Sequence, residues 1–234
     1  MKNIFRFKQF EVDQTNCAMK INTDGVLLAA LVENKNPKRI LDIGTGTGVL
    51  ALMMAQRFPK AQVDAVEIDK QSSATAGKNF QHSVFNGQLS VSNVAIEQFN
   101  NPHKYDLIIT NPPFFVNDLK NQEEKKGIAR HASEEFFMNL MAKVNELLND
   151  EGVFWFILPV KQAGFLMAKA NEFDLKTHQI IYLHSDITKP AFRYIVCLGR
   201  ANTQMIASHF YIYEAQKVYT NAYKQLLKDF FLAI

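Results

Sequence analysis

The sequence predicts an α/β fold with a mostly parallel sheet, helices on both faces of the sheet and an antiparallel closing hairpin. Three observations support this prediction. Short β-rich segments alternate with amphipathic helical segments, a glycine-rich turn joins the first of these strands to its helix, and the last two β-rich segments are separated only by "HSDITKPAF". Alternating strands and helices indicate a parallel sheet, because each helix crosses over between neighbouring strands.

Hydrophobic periodicity gives the elements in chain order. An edge strand is expected where Phe5, Phe7 and Gln9 alternate, and a helix over residues 24–32 precedes the first core strand. The core strands are predicted at residues 39–42, 62–67, 89–94, 105–110, 153–158, 175–183 and 194–198. Helices with apolar residues at three- and four-residue spacing are predicted at residues 49–58, 70–80 and 134–148.

The composition is that of an ordinary globular protein. Of the 234 residues, 47% are hydrophobic, and 26 basic residues nearly balance 23 acidic ones, which permits an anionic partner without requiring one. We therefore expect one domain over residues 1–234, with residues 1–35 as an N-terminal extension packed ahead of the first core strand. Cys17 and Cys197 are far apart, so we expect no disulfide framework and no metal site. We also expect no membrane span, and a monomer in the cytoplasm.

The turn "LDIGTGTGVLAL" contains the first candidate binding residues. Gly44, Gly46 and Gly48 follow Asp42, and glycine there lets the backbone turn sharply and lets a ligand approach it closely. About twenty residues later Glu67 ends the next strand, where a carboxylate can bind both hydroxyls of a ribose. The G-x-G-x-G spacing disfavours NAD and favours S-adenosylmethionine, which has no phosphate. Asp42 is either a strand-end cap or, as we favour, a carboxylate that orients the loop or meets the ligand's ammonium group.

The segments "LDIGTGTG", "VEID" and "TNPPFF", in this order on successive strands, resemble the Rossmann-like class I S-adenosylmethionine-dependent methyltransferases that act on planar exocyclic nitrogens. Such a nitrogen is conjugated with its ring, so its N–H groups need acceptors that turn its lone pair toward the methyl group. The Asn111 side chain and the Pro112 carbonyl can accept these two bonds, and the prolines Pro112 and Pro113 fix the carbonyl's direction. Phe114 would stack on the base. The alternative is an ordinary Pro-Pro turn with Phe114 in the core.

Further segments resemble the bacterial tRNA1(Val) adenine-N6 methyltransferases, which modify the adenine immediately 3′ of the anticodon. They are "NTDGVLLAAL", "IARHASEEFF", "KPAFRYIVCL" and the tyrosine-rich C-terminal helix "YTNAYKQLLKDFFLAI". This resemblance implies S-adenosylmethionine as cofactor and the anticodon loop of valine tRNA as substrate. It also implies that Asp24 lies over the methionine end of the cofactor, although an acidic residue there also suits a helix N-terminus. In "SNVAIEQF" a backbone N–H near Ala95 would read the cofactor adenine.

Basic residues near the motif are candidates for contact with RNA. Lys125, Lys126 and Arg130 follow it in "KNQEEKKGIARH", and Arg6 alternates with phenylalanines that could stack on unpaired bases. The alternative interpretations are a solvated loop for the first group and the buried face of a strand for the N-terminal phenylalanines.

Three other functions remain open at this point. The same motif serves other planar nitrogens, such as an adenine or guanine of ribosomal RNA or a glutamine amide in a release factor. A non-catalytic RNA-binding protein could also keep the fold. Such proteins usually lose the acceptor asparagine or the glycine turn, and this chain keeps both.

Overall fold

The computed structural model describes residues 3–15, 17, 20–113 and 123–233, with the backbone alone for 123–133. The strands are β1 (Ile4–Arg6), β2 (Glu11–Asp13), β3 (Arg39–Ile43), β4 (Gln62–Glu67), β5 (Leu89–Asn93), β6 (Tyr105–Thr110), β7 (Leu148–Pro159), β8 (Lys176–His184), β9 (Ala191–Gly199), β10 (Ile206–Tyr211), β11 (Tyr213–Ala215) and β12 (Val218–Tyr219). The helices are α1 (Thr23–Leu31), α2 (Val49–Arg57), α3 (Lys70–His82), α4 (Glu123–Leu147), α5 (Val160–Lys169) and α6 (Asn221–Leu227).

Eight strands form the central sheet, in the order β10-β8-β9-β7-β6-β3-β4-β5. From β5 to β7 all neighbours are parallel, and β9 runs antiparallel between β7 and β8. The predicted parallel sheet and antiparallel hairpin are confirmed. The hairpin does not form the sheet edge, however, because β10 pairs with β8 outside it. Four of the six residues of β10 are exposed, so this strand lacks the buried alternation by which periodicity detects a strand.

The strand order reverses beside β3, and this reversal determines where a ligand can bind. The chain passes from β3 through α2, β4 and α3 to β5, and then returns to β6 on the other side of β3. Ile43 at the end of β3 pairs with Thr110 at the end of β6. The glycine turn and the asparagine-proline segment therefore leave the sheet side by side, at a topological switch point where α/β folds bind ligands.

Each face of the sheet carries its own hydrophobic core. In β6, Leu107 and Ile109 pack on the face covered by α1, α2 and α3, whereas Ile108 packs on the face covered by α4 and α5. Both faces are buried, which explains why these strands are nearly continuous apolar runs in the sequence. None of the described helices is both long and apolar enough to cross a membrane.

The N-terminal and C-terminal segments of the chain pack together on the sheet face that α1, α2 and α3 cover. β1 pairs antiparallel with β2, and Phe7 turns the chain between them by donating its N–H to the Phe10 carbonyl. The edge strand predicted over residues 5–9 therefore ends at Arg6. Phe7 also bridges to Phe231 near the C-terminus, and Phe10 lies in the same core. The helices α4 and α5 also differ from the prediction, since α4 begins at Glu123 and α5 follows β7 directly with no turn residue to mark it.

Candidate active site

The glycine turn adopts a backbone that other residues rarely adopt. Gly44, Gly46 and Gly48 have φ angles of 70°, 56° and 86°, all in the left-handed region that favours glycine. A Cβ added at Gly44 or Gly46 would meet no protein atom within 4 Å, whereas a Cβ at Gly48 would lie 2.5 Å from the ring of Phe80. Gly48 is thus required by packing as well as by φ. The open space beside Gly44 and Gly46 can hold a ligand against the backbone.

Glu67, at the end of β4, supports this turn from the neighbouring strand. One of its carboxylate oxygens accepts the N–H of Gly46 at 2.8 Å, and the other accepts the N–H of Asp69 at 2.9 Å. A carboxylate oxygen can accept a second hydrogen bond, so both oxygens can still bind hydroxyl groups. Glu67 therefore orients the turn and presents acceptors to a ligand at the same time.

A cavity of about 330 Å³ opens at the carboxyl ends of β3, β4, β5 and β6. It has the size of a small-molecule site, and its walls include the apolar residues Ile43, Val66, Ile68 and Ile96. Its lining brings together seven of the eleven residues predicted for catalysis and cofactor binding, namely Gly44, Gly46, Glu67, Ala95, Asn111, Pro112 and Pro113. Asp24, Asp42 and Gly48 are not part of this lining.

Among the described residues, no donor binds the side-chain oxygen of Asn111. Its side-chain Nδ2 donates to Asn22 Oδ1 at 3.4 Å, and the same Asn22 oxygen caps α1 by accepting the N–H of Gly25 at 2.9 Å. Asn111 Oδ1 is buried, and no donor among the described residues reaches it. Leaving a buried acceptor unpaired costs about 1–3 kcal/mol, so this atom is placed to receive a hydrogen bond from a bound molecule.

Asp42 lies inside the turn instead of in the cavity. It is completely buried, and one of its oxygens accepts from Thr45 Oγ1 at 2.6 Å and from the Ala51 N–H at 3.2 Å. Burial raises the pKa of Asp42 to about 7, although these two hydrogen bonds favour the charged form, and the charge of Glu67 adds to the rise. These contacts support the loop-orienting role among the alternatives considered for Asp42.

The raised pKa predicts how stability depends on pH. The unfolded carboxyl has a pKa of 3.8, so between about pH 4 and pH 7 the folded state binds more protons and the free energy of unfolding falls as pH rises. Asp42→Asn keeps an acceptor for Thr45 and Ala51 but does not titrate. We expect the wild type to lose about 3–4 kcal/mol relative to this variant across that window, since one pKa unit corresponds to about 1.4 kcal/mol. Urea unfolding of both proteins at several pH values would test this, and parallel pH profiles would contradict it.

Asp24 lies in the first turn of α1 and is held by a distant strand. Its Oδ2 accepts from Arg193 Nε of β9 at 2.7 Å, and both side chains are mostly buried.

Arg193 and Asn22 are two functional candidates that the sequence reasoning missed. A helix-capping signal, an asparagine just before an apolar helix, could have identified Asn22 as a cap. No signal in the sequence could have paired it with Asn111.

Several predicted residues lie outside the described part of the chain. Phe114 is one, and the side chains of Lys125, Lys126 and Arg130 are others, although their backbone belongs to α4. Arg6 is described: its side chain is exposed and forms an ion pair with Glu11 at 2.9 Å.

The chain is similar to known proteins in sequence and in fold. The family model described as "Methyltransferase small domain" matches residues 16–169. A protein of Pedobacter heparinus named tRNA1(Val) (adenine(37)-N6)-methyltransferase is 54% identical over 233 residues, covering 100% of both chains. A Dyadobacter fermentans protein of the same name is 40% identical over 97% of both chains. Among solved structures, a predicted O-methyltransferase of Agrobacterium tumefaciens superposes with a TM-score of 0.67 at 16% identity, covering 88% of this chain and 96% of its own, which shows a shared fold.

Proposed function

The chain belongs to the tRNA1(Val) (adenine(37)-N6)-methyltransferase family, and we propose that it methylates N6 of the adenine immediately 3′ of the anticodon in valine tRNA, with S-adenosylmethionine as cofactor. One observation carries the mechanism: Asn111, whose buried Oδ1 has no partner among the described residues, lines a cavity that contains Glu67 and the glycine turn. A cytoplasmic monomer acting on the valine isoacceptor is part of the proposal.

The residues of the cavity fit S-adenosylmethionine. Gly44 and Gly46 leave open space beside the backbone, and Glu67 offers oxygens to the two ribose hydroxyls. Ile68 and Ile96 provide apolar surface for an adenine ring, and Ala95 lies next to them in the wall. When bound, this cofactor supplies an electrophilic methyl group on a sulfonium. We assign Asp42 to the support of the turn, and we place Asp24 at the methionine end of the cofactor.

The chain's own contribution to the chemistry is the orientation of the amino nitrogen. That nitrogen would donate one N–H to Asn111 Oδ1 and the other to the Pro112 carbonyl, and these two bonds would direct its lone pair toward the methyl group of a bound cofactor. As positive charge develops on the nitrogen, the two fixed acceptors stabilise it without having to reorganise. The methylated nitrogen then loses a proton to water, and no side chain has to act as a base. Phe114 stacks on the base and Lys125, Lys126 and Arg130 contact the RNA in this proposal.

We propose that residues 1–234 form a single methyltransferase domain, with residues 1–35 as its N-terminal extension. The support is a core cluster that joins Phe7 and Phe10, near the start of the chain, with Leu227 and Phe230, near its end, on one face of the central sheet.

Methyl transfer to three separate substrate pools would test the proposed function. Purified protein is incubated with methyl-labelled S-adenosylmethionine and with unmodified total tRNA, total ribosomal RNA or total protein. We expect label in the tRNA pool and in a valine anticodon stem-loop, and none when guanosine replaces the target adenosine. Label that enters ribosomal RNA or protein instead would show that a different planar nitrogen is the substrate.

Glu67 offers a test of the cofactor assignment. We expect Glu67→Ala to weaken S-adenosylmethionine binding by about 1.5–3 kcal/mol, because hydrogen bonds to a charged group are lost. Part of this loss would come from the turn, since Glu67 also accepts the N–H of Gly46. Calorimetry with S-adenosylhomocysteine and its 2′-deoxy analogue separates the two effects. The wild type should discriminate against the analogue and the variant should not, whereas equal discrimination by both proteins would refute the ribose contact.

A further inference from the structure

A second concave surface adjoins the active site and has no role in the proposed chemistry. This aromatic groove is lined by Phe5, Arg6, Asn22, Tyr219, Tyr223 and Phe231, and its volume is about 410 Å³. Its walls come from β1, from the cap of α1, from β12 and α6, and from the residues that follow α6. The groove exists because the two ends of the chain meet, as the bridge between Phe7 and Phe231 shows.

Asn22 links the aromatic groove to the active-site cavity through its contact with Asn111. It lines the groove, and its Oδ1 accepts from Nδ2 of Asn111, which lines the cavity. The two spaces therefore approach each other at this pair of side chains. A nucleotide joined by one phosphodiester to an adenosine at Asn111 falls within reach of the groove.

Among the rings that line the groove, Phe5 offers an exposed aromatic surface. Tyr219 is stacked on both sides, by Tyr223 at 4.4 Å and by Tyr213 at 5.1 Å between ring centroids, so the tyrosines form a rigid wall. Phe5 meets Phe7 and Phe231 at interplanar angles of 54° and 59°, and no ring among the described residues stacks on it face to face. With 37% of its surface exposed, Phe5 can accept a planar base.

The charge of the groove is suited to a phosphate. Among the described residues of its lining, Arg6 carries the charge, and its side chain is 68% exposed. The pair that Arg6 forms with Glu11 is a surface pair, which is weak and can give way to a stronger partner. An arginine fork matches two phosphate oxygens at once, and such charge-assisted bonds are stronger than an exposed carboxylate pair.

We propose that the aromatic groove binds one unpaired nucleotide next to the target adenosine, with its base stacked on Phe5 and its phosphate at Arg6. This inference rests on the proposed function, because it requires an RNA substrate. Proteins that recognise single-stranded RNA combine such stacking with contacts to the backbone. The groove thus holds the strand beside the reacting base and helps to place that base at Asn111.

Abasic nucleotides in the substrate would test the stacking. A valine anticodon stem-loop is prepared with an abasic residue on the 5′ or on the 3′ side of the target adenosine, and KM is measured for wild type, Phe5→Leu and Phe5→Tyr. For one of the two positions we expect the abasic substitution to raise the wild-type KM about 5- to 100-fold, the usual effect of losing one stacked base. The abasic substitution should not raise KM further in Phe5→Leu, which lacks the ring. In Phe5→Tyr, which keeps a ring, it should raise KM by the same factor as in the wild type.

A matched pair of charge variants would test the phosphate contact. Arg6→Gln should flatten the slope of log affinity against log salt for the unmodified stem-loop by about one unit. Lys60→Gln, an equal charge change at the exposed turn before β4, should leave the slope unchanged. The inference fails if the abasic substitution raises KM by the same factor in Phe5→Leu as in the wild type. It also fails if neither abasic position raises the KM of the wild type. A wild-type enzyme that methylates no tRNA would instead refute the proposed function.

Discussion

Replacing Asn111 by alanine should lower kcat for methyl transfer by about 10²–10³ and change cofactor and tRNA affinity much less. Its Oδ1 is a buried acceptor, and in the proposed mechanism the hydrogen bond from the substrate would strengthen as charge develops on the amino nitrogen. An interaction that is stronger in the transition state than in the bound complex contributes to kcat and little to binding. Single-turnover assays at saturating cofactor measure this step directly.

The variant Asn111→Asp provides a comparison for Asn111→Ala. Aspartate keeps an acceptor for the amino group, so this variant should retain more activity than alanine. It should remain below the wild type, because the atom that replaces Nδ2 would place a carboxylate oxygen against Asn22 Oδ1, where the wild type has a donor. If Asn111→Ala transferred methyl groups at the wild-type rate, the mechanistic role of this asparagine would be excluded.

Gly48→Ala is expected to cost about 2–5 kcal/mol of the free energy of unfolding. The left-handed φ of 86° accounts for about 1–2 kcal/mol, and crowding of the new Cβ against Phe80 adds about 1–3 kcal/mol. Phe80 is 3% exposed and belongs to the core, so its ring has little room to move away. Such a loss is a large part of the stability of an ordinary domain.

Two other glycines serve as controls for this experiment. At Gly44, which has a φ of 70°, an added Cβ would meet open space. Gly44→Ala should therefore show the backbone strain alone, a loss of about 1–2 kcal/mol in the free energy of unfolding. At Gly87 a Cβ would also meet nothing, and its φ is not in the left-handed region, so Gly87→Ala should stay within about 0.5 kcal/mol of the wild type. Urea unfolding of the three variants should show the smallest loss in the free energy of unfolding for Gly87→Ala, a larger loss for Gly44→Ala and the largest for Gly48→Ala. Equal losses at Gly44 and Gly48 would exclude the role of Phe80.

The sequence by itself determined seven of the eight strands of the central sheet and seven of the residues that line the cavity. β4 and β6 have the predicted bounds because each has apolar residues packed against the faces of the sheet, in a short run that is typical of a strand. Gly44, Gly46 and Glu67 could be identified because the turn needs positive φ and because parallel strands present their carboxyl ends at one sheet edge. These are local requirements, and a local requirement leaves a pattern in the sequence.

Only the tertiary structure decided which distant side chains meet. Asp24 pairs with Arg193 across 169 positions of sequence, and Asn22 orients Asn111 across 89. The aromatic groove likewise requires both ends of the chain, and the exposed strand β10 at the sheet edge gave no periodic signal. Such contacts arise from the packing of complete elements against one another, and no spacing along the chain encodes them.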